Sequence, residues 1–321
     1  MNIKLSKTND VEKTIMRDIY AAQLTKMAKE DPRVYAMDAD LIGSIGTAGF
    51  QKEMPDRMID CGIQEANMVG VGAGMSATGL IPFMHTFGAF AGRRDYDQVF
   101  LSCGFSQLNV KLIGSDPGIT AAYNGGTHMP FEDLGIMRNV PGITIIEPTD
   151  CAMLDNLLPK VKDTYGVHYI RLVRKSSRQV YEMGSDFEIG KAAPIRDGKD
   201  VTIFATGYCV AEAIDAAKEL EAQGISARVL NMFTIKPIDR EAIIAAAKET
   251  GAIVTAENHN IINGLGSAVA EVVVEECPVP VERVGVKDEY GEVGEVEYLA
   301  ERFGLTAKYI VEAAKKAISR K

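Results

Sequence analysis

Residues 60–79 read DCGIQEANMVGVGAGMSATG. The stretch overlaps a short apolar run, MIDCG at 58–62, and leads into a second one, LIPFM at 80–84. Between these runs, the small and apolar residues from Glu65 to Thr78 form a pattern that indicates a buried helix. A strand, a helix and a second strand in this order predict a βαβ unit, in which the two strands run parallel in one sheet.

The same alternation continues along most of the 321 residues, beginning with a helix expected at 11–29. It lapses at 175–200, a polar stretch with several glycines and a proline that fits a linker. The sequence therefore predicts an α/β protein with two open, mainly parallel sheets flanked by helices, in domains at 1–180 and 192–321. The expected strands lie at 33–40, 58–62, 80–84, 108–114, 143–148, 168–174, 201–207, 227–232, 252–257 and 281–286.

The formal net charge is −9, from 35 basic and 44 acidic residues. Because there is no basic excess, we do not expect a general role in binding nucleic acid or anionic membranes. No apolar run approaches the ~18 residues of a membrane span, and the first residues lack the apolar core of a secretion signal. The five cysteines form no CxxC pair, so we expect reduced thiols and a cytoplasmic location.

Ligands of open α/β sheets gather where the strands end. The second domain offers a single segment at such a position, ENHNIINGLGS at 257–267, which is interpreted as an anion site or as a structural turn. The first domain offers several. They are Asp38, Asp40, the turn before Glu65, the segment from His85 to Phe90, Ser115, Asp116 and the loop NGGTHMPFED at 124–133.

Glu65 places an acid among apolar neighbours at the start of a predicted helix. In one interpretation it is simply stabilised by the helix macrodipole. In the other, its carboxylate is withdrawn from water and needs a hydrogen-bond donor. Phe87 and Phe90 are spaced to present two ring faces near the next strand end, although they also fit a plain core. An acid beside aromatic faces can hold a flat heterocycle that contains nitrogen.

The glycine run at 72–77 matches the dinucleotide pattern GxGxxA, but its glycines fall inside the helical pattern and not in a turn. Small residues at Gly70, Gly74 and Thr78 predict instead a smooth face that another helix can approach. His128 lies on a glycine-rich loop and is a candidate for proton transfer or substrate binding. The histidines and cysteines show no metal-ligand spacing, so no metal site is predicted in this chain.

Three segments, in the same order along the chain, resemble transketolases. GIQEANM (62–68) resembles their GIREHxM-type segment, and TFGAFAGRRDYDQVF (86–100) resembles the aromatic segment that follows it. NGGTHMPFEDLGIMRNVPGITIIEPTD (124–150) resembles their DGPTHQPIE…RxxPN…P.D segment. The resemblance spans essentially the whole chain and corresponds to the C-terminal half of a full-length transketolase.

This resemblance implies a pyrimidine-binding domain at 1–180 and a transketolase C-terminal domain at 192–321. Transketolases use thiamine diphosphate, whose diphosphate and metal ion are bound at a GDG…N motif that this chain lacks. The chain therefore resembles the second subunit of a split transketolase and is expected to be inactive alone. The implied partner is an N-terminal, diphosphate-binding subunit that holds most of the Mg²⁺ or Ca²⁺ site in an α₂β₂ assembly.

The resemblance also implies roles toward the cofactor. Glu65 matches the acid that bonds a nitrogen of the aminopyrimidine ring and promotes loss of the thiazolium proton. Phe87 and Phe90 match the wall on which that ring stacks. The other matched positions are Asp40 and Leu41, in place of an ADL segment that approaches the cofactor across a subunit interface, and Arg93, where many transketolases carry a third aromatic residue.

For the substrate, His128 resembles the histidine near the donor ketose hydroxyls. Two positions depart from the family pattern. Asn124 replaces an aspartate used at a substrate hydroxyl, and Asp116 stands where a phosphate-binding histidine is common. The positions that match the site for the terminal phosphate of the sugar are Arg17, Ser44 and Arg174, and guanidinium groups suit an oxyanion there.

The function implied is transfer of a two-carbon ketol unit from an anionic ketose to an aldose. The two departures leave three classes of ketose open: an ordinary sugar phosphate, a branched sugar phosphate and a sulfonated sugar. The alternatives are a β subunit like that of 2-oxoacid dehydrogenases or a relative of deoxyxylulose phosphate synthase, toward which GRRDYDQV leans. A non-catalytic regulatory subunit is a further alternative, against which the presence of Glu65, Phe87 and Phe90 weighs.

Overall fold

Twelve strands form two sheets in the computed structural model, which describes residues 1–321. The strands are β1 (Val34–Asp38), β2 (Met58–Asp60), β3 (Ile81–Phe87), β4 (Lys111–Ser115), β5 (Thr144–Ile146), β6 (His168–Leu172), β7 (Ala193–Arg196), β8 (Val201–Ala205), β9 (Ala227–Asn231), β10 (Thr234–Lys236), β11 (Ile253–Asn260) and β12 (Val281–Val286).

Helices connect most of these strands, and none of them is both long enough and apolar enough to cross a membrane. The α-helices are α1 (Met16–Glu30), α2 (Ile42–Ile45), α3 (Ala48–Glu53), α4 (Glu65–Ala77), α5 (Gly88–Arg93), α6 (Tyr96–Gln98), α7 (Asp133–Met137), α8 (Cys151–Asp163), α9 (Cys209–Ala222), α10 (Arg240–Thr250), α11 (Leu265–Glu276), α12 (Val296–Arg302) and α13 (Ala307–Ile318). Three short 3₁₀ segments span Pro55–Arg57, Gly118–Asn124 and Gly126–His128, and a π-helical segment spans Val99–Phe105.

Both sheets are parallel apart from one edge strand each. The first has the order β10-β5-β6-β4-β3-β1-β2, and the second has the order β12-β11-β8-β9-β7. Only β10 and β7 run antiparallel to their neighbours. Helices flank both sheets, so the predicted fold class is confirmed.

Helix α4 packs on β3 as the βαβ pattern predicts. It begins at Glu65 and buries Met68 and Val69. At Gly72 the helix lies so close to β3 that an added Cβ atom would overlap the sulfur of Met84. The glycine at this position therefore allows close packing of helix and strand.

The opposite side of α4 carries the predicted smooth face. Gly70, Gly74 and Thr78 are exposed, and no atom lies within 4 Å of a Cβ atom built on either glycine. No helix of this chain covers the face, so the approach of another helix remains a prediction that concerns an assembled protein.

The two antiparallel edge strands are absent from the sequence prediction. β10 follows β9 of the second sheet but pairs with β5 of the first. β7 lies in the stretch predicted as a linker and pairs with β9. Strands of three or four residues carry little periodic signal, and distant partners decide whether they form. Because the chain returns to the first sheet, the domain limits 1–180 and 192–321 stay predictions.

The first helix starts at Met16 and not at residue 11. The residues before it form isolated bridges with the first half of the predicted linker, Leu5 with Tyr181 and Val11 with Arg178. Pairing with a remote segment therefore replaces the helical turn that the amphipathic pattern indicates.

A buried ion network joins the two sheets. Arg171 in β6 is fully buried, and its Nε donates to Asp133 Oδ2 at 2.8 Å and its Nη1 to Glu147 Oε1 at 2.7 Å. Its Nη2 donates to the carbonyl of Asn258 in β11 at 3.1 Å, while Thr206, after β8, donates to Glu147 at 3.1 Å. A buried guanidinium without partners costs several kcal/mol. The network therefore holds the two sheets at one mutual orientation.

Candidate cofactor and substrate site

A buried chain of three polar side chains links neighbouring strand ends of the first sheet. His85 Nδ1 is 2.8 Å from Asp38 Oδ2, and His85 Nε2 is 2.9 Å from Ser115 Oγ. Asp38 also accepts a hydrogen bond from the amide of Leu41. These hydrogen-bonded side chains therefore orient the two loops that follow β1 and β4. The only sequence signal for them is that all three residues lie near strand ends.

Glu65 is buried at the start of α4, with 3% of its surface exposed. Its Oε1 accepts a hydrogen bond from Arg94 Nη1 at 2.8 Å and lies 3.5 Å from Thr86 Oγ1. The Arg94 side chain is 46% exposed. The carboxylate thus has the donor that its burial requires, and that donor can move into solvent.

The guanidinium of Arg94 also lies over the ring of Phe90, with 3.8 Å between Cζ and the ring centroid. It is planar, carries nitrogen donors, stacks on an aromatic face and bonds the buried acid. These are the contacts that the sequence prediction assigns to an aminopyrimidine ring. Arg94 therefore stands in for the heterocycle, and the residues around it fit one.

An aromatic wall continues from Phe90. The rings of Phe87 and Phe90 pack edge to face at 5.9 Å, and the His128 ring packs on both, at 5.5 Å and 5.1 Å. His128 Nδ1 is 2.8 Å from the hydroxyl of Thr127. The structure thus brings Glu65, the two phenylalanines and His128 into one neighbourhood, although three separate segments carry them.

A second cluster adjoins this wall. Arg174 Nε donates to Asp116 Oδ2 at 2.7 Å, and Arg17 Nη1 donates to the carbonyl of Ser44 at 3.0 Å. Arg174 Nη1 reaches the same carbonyl at 3.5 Å. The Arg174 guanidinium lies 4.8 Å from the ring centroid of Phe87. The four residues predicted to surround the charged end of the substrate therefore meet at the edge of the aromatic wall.

Other predicted site residues lie apart from these clusters. Arg93 turns to Glu132 and to the carbonyl of Met129, away from Glu65. Asp40 is exposed, and its amide donates to Asp60 Oδ1 at 2.9 Å. Asn124 is also exposed. The roles assigned to Arg93, Asp40, Leu41 and Asn124 by resemblance stay predictions.

Asp95 is an unexpected member of the site region. It is fully buried, and neither of its carboxyl oxygens has a hydrogen-bond partner. Burial, followed by the charge of Glu65, raises the pKa of Asp95 well above its usual value. Nothing in the sequence pattern singles it out, because it lies in a run of charged residues.

The second domain holds the loop that carries His128. The hydroxyl of Tyr123 donates to Glu295 at 2.7 Å, and an added Cβ atom at Gly126 would overlap the backbone of Gly291. An open cleft of about 900 Å³ lies between this loop and residues 288–291. This close approach of the two backbones requires glycine at 126. The contacts with the second domain therefore fix the position of the loop that carries His128.

The segment 257–267 of the second domain is closed by its own acid. Glu257 is fully buried, and its two oxygens accept hydrogen bonds from the amides of Leu265 at 2.6 Å and Gly266 at 2.7 Å. These amides open α11, where an anion would bind. The carboxylate of Glu257 occupies that position, which supports the interpretation as a structural turn.

No group of three or more His, Cys, Asp or Glu side chains is arranged to hold a metal ion.

Two family descriptions match the chain. "Transketolase, pyrimidine binding domain" matches residues 12–179, and "Transketolase, C-terminal domain" matches residues 190–310.

The chain is similar to the 6-deoxy-6-sulfo-D-fructose transketolase subunit SqwH of Clostridium sp. (strain MSTE9), with 53% identity over 97% of each chain. It is 36% identical to an apulose-4-phosphate transketolase subunit of Phocaeicola vulgatus, over 93% of this chain and 96% of that one. A solved structure titled "Split gene transketolase, inactive beta4 tetramer" is similar with a TM-score of 0.89 and 42% identity, covering 96% of this chain and 99% of that chain.

Proposed function

The chain belongs to the transketolase family, and we propose that it is the pyrimidine-binding subunit of a split transketolase. In the proposed reaction, the assembled enzyme transfers a two-carbon ketol unit from an anionic ketose to an aldose. Relatives that match this chain over nearly their whole length are named as transketolase subunits, which supports the proposal.

The observation that carries the proposal is the environment of Glu65. A buried carboxylate touches a planar nitrogen group, the Arg94 guanidinium, which lies on the Phe90 ring. Displacing an exposed arginine is easier than opening a core, so a heterocycle of similar shape can take its place. The geometry therefore fits the aminopyrimidine of thiamine diphosphate, on which the family depends.

Thiamine diphosphate, when bound, supplies the carbon nucleophile that cleaves the bond beside the ketose carbonyl. The residues of this chain prepare that chemistry. Glu65 holds a proton at the ring nitrogen it contacts, and its burial keeps this proton from exchanging freely with bulk water. Phe87 and Phe90 orient the ring and exclude water from one of its faces. His128, packed on both phenylalanines, presents an imidazole to the ketose hydroxyls.

The charged end of the ketose is proposed to bind at Arg17 and Arg174. Two guanidinium groups converge there on one carbonyl oxygen, that of Ser44. A sulfonate or a phosphate offers several oxygen acceptors to such donors. The similarity to SqwH supports a sulfonated ketose as the substrate. The similarity to the apulose-4-phosphate transketolase subunit supports a phosphorylated ketose as the alternative.

The partner is proposed to be an N-terminal transketolase subunit that binds the diphosphate and most of the Mg²⁺ or Ca²⁺ site. In an α₂β₂ assembly, the pyrimidine-binding residues of this chain would face the diphosphate-binding residues of the partner. The similar split gene transketolase is described as inactive when it forms a beta4 tetramer, which agrees with a need for the second subunit.

Reconstitution tests the proposal. The chain is co-purified with a diphosphate-binding transketolase subunit and loaded with thiamine diphosphate and Mg²⁺. The complex is assayed with ketose phosphates or a sulfonated ketose, each with an aldose as acceptor, and separately with pyruvate. We expect ketol transfer from a ketose by the pair and none by either chain alone. Decarboxylation of pyruvate without ketol transfer would instead assign the chain to the dehydrogenase or deoxyxylulose phosphate synthase type.

A further inference from the structure

We propose that Asp116 selects ketoses whose terminal group carries a single negative charge, as a sulfonate does, over those with a doubly charged phosphate. This inference rests on the proposed function, because it assumes that the cluster around Arg174 receives the charged end of the ketose. Asp116 is then the residue that determines specificity, and the charge of the terminal group is the property by which it discriminates.

The charges in the cluster support the inference. Asp116 is 1% exposed, and Arg174 binds it through both Nε and Nη2. One of the two guanidinium charges is therefore already neutralised inside the protein. The charge of Arg17 remains. The acid nearest to it, Asp18, lies 3.9 Å away, and the Asp18 side chain is 61% exposed and therefore screened by water. A net charge of about +1 matches a monoanion.

A phosphate monoester carries a charge of −1.5 to −2 at pH 7, because its second pKa is about 6. A sulfonate carries one negative charge at every pH at which the protein is folded. Charges close to one another in a buried site interact several times more strongly than in water. The carboxylate of Asp116 therefore disfavours the second charge of a phosphate much more than it disfavours a sulfonate.

The backbone keeps Asp116 in place. Its φ angle is +58°, in the left-handed region that aspartate and asparagine tolerate better than most residues. Its amide donates to the carbonyl of Leu172 at 2.9 Å. The preceding residue, Ser115, is bonded to His85. The backbone is therefore fixed at this position, and burial and the bond to Arg174 hold the carboxylate in the cluster.

Asp116 also has an unused acceptor. Its Oδ1 is buried and has no hydrogen-bond partner, while Oδ2 receives Arg174. A buried carboxyl oxygen without a donor costs free energy, which indicates that a ligand donor completes it. A ketose hydroxyl next to the charged end is a donor of that kind. The buried pair of Asp38 and His85 also lies near this position, because His85 contacts Ser115.

The variant Asp116→Asn tests the inference, because asparagine keeps the shape and the left-handed backbone and removes only the charge. In the reconstituted complex, kcat/KM is measured for a sulfonated ketose and for the phosphorylated form of the same sugar. At pH 8 we expect the ratio of the two values, sulfonate over phosphate, to fall at least tenfold in the variant. A purely structural defect would lower both values alike and leave the ratio unchanged.

The pH dependence provides a second readout. In the wild type, lowering the pH from 8 to 6 converts part of the phosphate to its monoanion. We expect the sulfonate preference to weaken several-fold over this range in the wild type and to change little in Asp116→Asn. The matched control is Asp18→Asn, which removes an exposed carboxylate close to Arg17 and should leave the ratio within about twofold.

Binding of inert probes separates this inference from the proposed function. Ethanesulfonate and ethyl phosphate are titrated against the complex at pH 8, with no reaction required. Wild-type preference for ethanesulfonate that is lost in Asp116→Asn supports the inference even if no ketose is turned over, in which case only the proposed function fails. Equal preference in wild type and variant, by probes or by kcat/KM, overturns the inference.

Discussion

Two buried glutamates, Glu65 and Glu257, lie against helix starts in the two halves of this chain. Glu65 follows β2 and is the first residue of α4, whereas Glu257 lies within β11 and its carboxylate reaches the first turn of α11. Both side chains are withdrawn from water. They differ in what donates to them. Glu65 is bonded by the exposed side chain of Arg94, whereas Glu257 is bonded by backbone amides of α11.

This difference separates a site from a structural element. The donors of Glu257 belong to the backbone and cannot leave without unwinding a helix. The principal donor of Glu65 is the partly exposed side chain of Arg94, so a ligand can replace it without unfolding any element. A buried acid beside a helix start therefore becomes a binding site when its hydrogen-bond donor can be displaced, and it stabilises the fold when the donors belong to the backbone.

The same substitution at both acids should give the largest difference between them. Glu65→Gln should lower the turnover of the reconstituted complex by at least ~100-fold, because an amide cannot exchange a proton with the ring nitrogen. Its melting temperature should remain close to that of the wild type. Glu257→Gln should retain turnover per folded complex to within about twofold. Normal turnover in Glu65→Gln would contradict the role given to this acid.

Opening the closed end of α11 tests the other half of the comparison. An added Cβ atom at Gly264 would overlap the Glu257 carboxylate and push it off the helix start. We expect Gly264→Ala to lower the free energy of unfolding by roughly 1–3 kcal/mol, measured by denaturant titration. The matched control is Gly74→Ala on the open face of α4, where helix propensity should raise stability by up to ~1 kcal/mol. Equal effects at the two glycines would contradict this difference in packing.

Asp95 tests whether burial keeps a carboxyl group of the site region protonated. Because burial raises the pKa of Asp95, the folded chain keeps a proton that the unfolded chain releases above its ordinary pKa of 3.8. The free energy of unfolding of the wild type should therefore fall, on account of this group, as the pH rises from 4 to 8. Asp95→Asn lacks this loss.

The variant should match the wild type near pH 4 and be the more stable of the two at pH 8. Denaturant titrations of the isolated chain at both pH values measure the difference. A variant that is less stable than the wild type at pH 8 would show that Asp95 is ionised and paired in the folded protein.

The smallest expected effect concerns the removable donor itself. Arg94→Met frees Glu65 and the Phe90 ring, so the dissociation constant for thiamine diphosphate in the complex should fall about three- to tenfold, by up to ~1.4 kcal/mol. Isothermal titration or quenching of tyrosine fluorescence measures it. Arg93→Met, next to it in sequence but bonded to Glu132, is the comparison variant. A change at Arg93 and none at Arg94 would return the cofactor role to Arg93.

Much of the fold follows from patterns that are local in sequence. The strand and helix alternation reflects side-chain periodicity, and it predicts both parallel sheets. It does not predict β7, β10 or the bridges of the N-terminal residues, because these short segments gain their hydrogen bonds from partners far away in the chain. Where the local pattern and a distant partner compete, the partner decides.

The candidate site divides in the same way. Glu65, Phe87, Phe90 and His128 stand out in the sequence as an acid, two spaced rings and a loop histidine, and the structure brings them together. Which of two adjacent arginines reaches Glu65 depends on the geometry of α5 and its end, since Arg93 and Arg94 leave the helix in different directions. The hydrogen bonds from Asp38 through His85 to Ser115 join three strands. The only sequence signal for them is that the three residues lie near strand ends.

The sequence by itself determined the α/β class, the family and the chemical types of residue that gather at the carboxyl edge of the first sheet, because these depend on periodicity and on short motifs. Only the tertiary structure decided that Arg94 bonds the buried acid, that Asp116 neutralises Arg174 and that Glu257 closes its own helix. Hydrogen bonds between residues that lie 8 to 58 positions apart require a folded backbone to bring donor and acceptor within about 3 Å of each other. No pattern along the chain contains that distance.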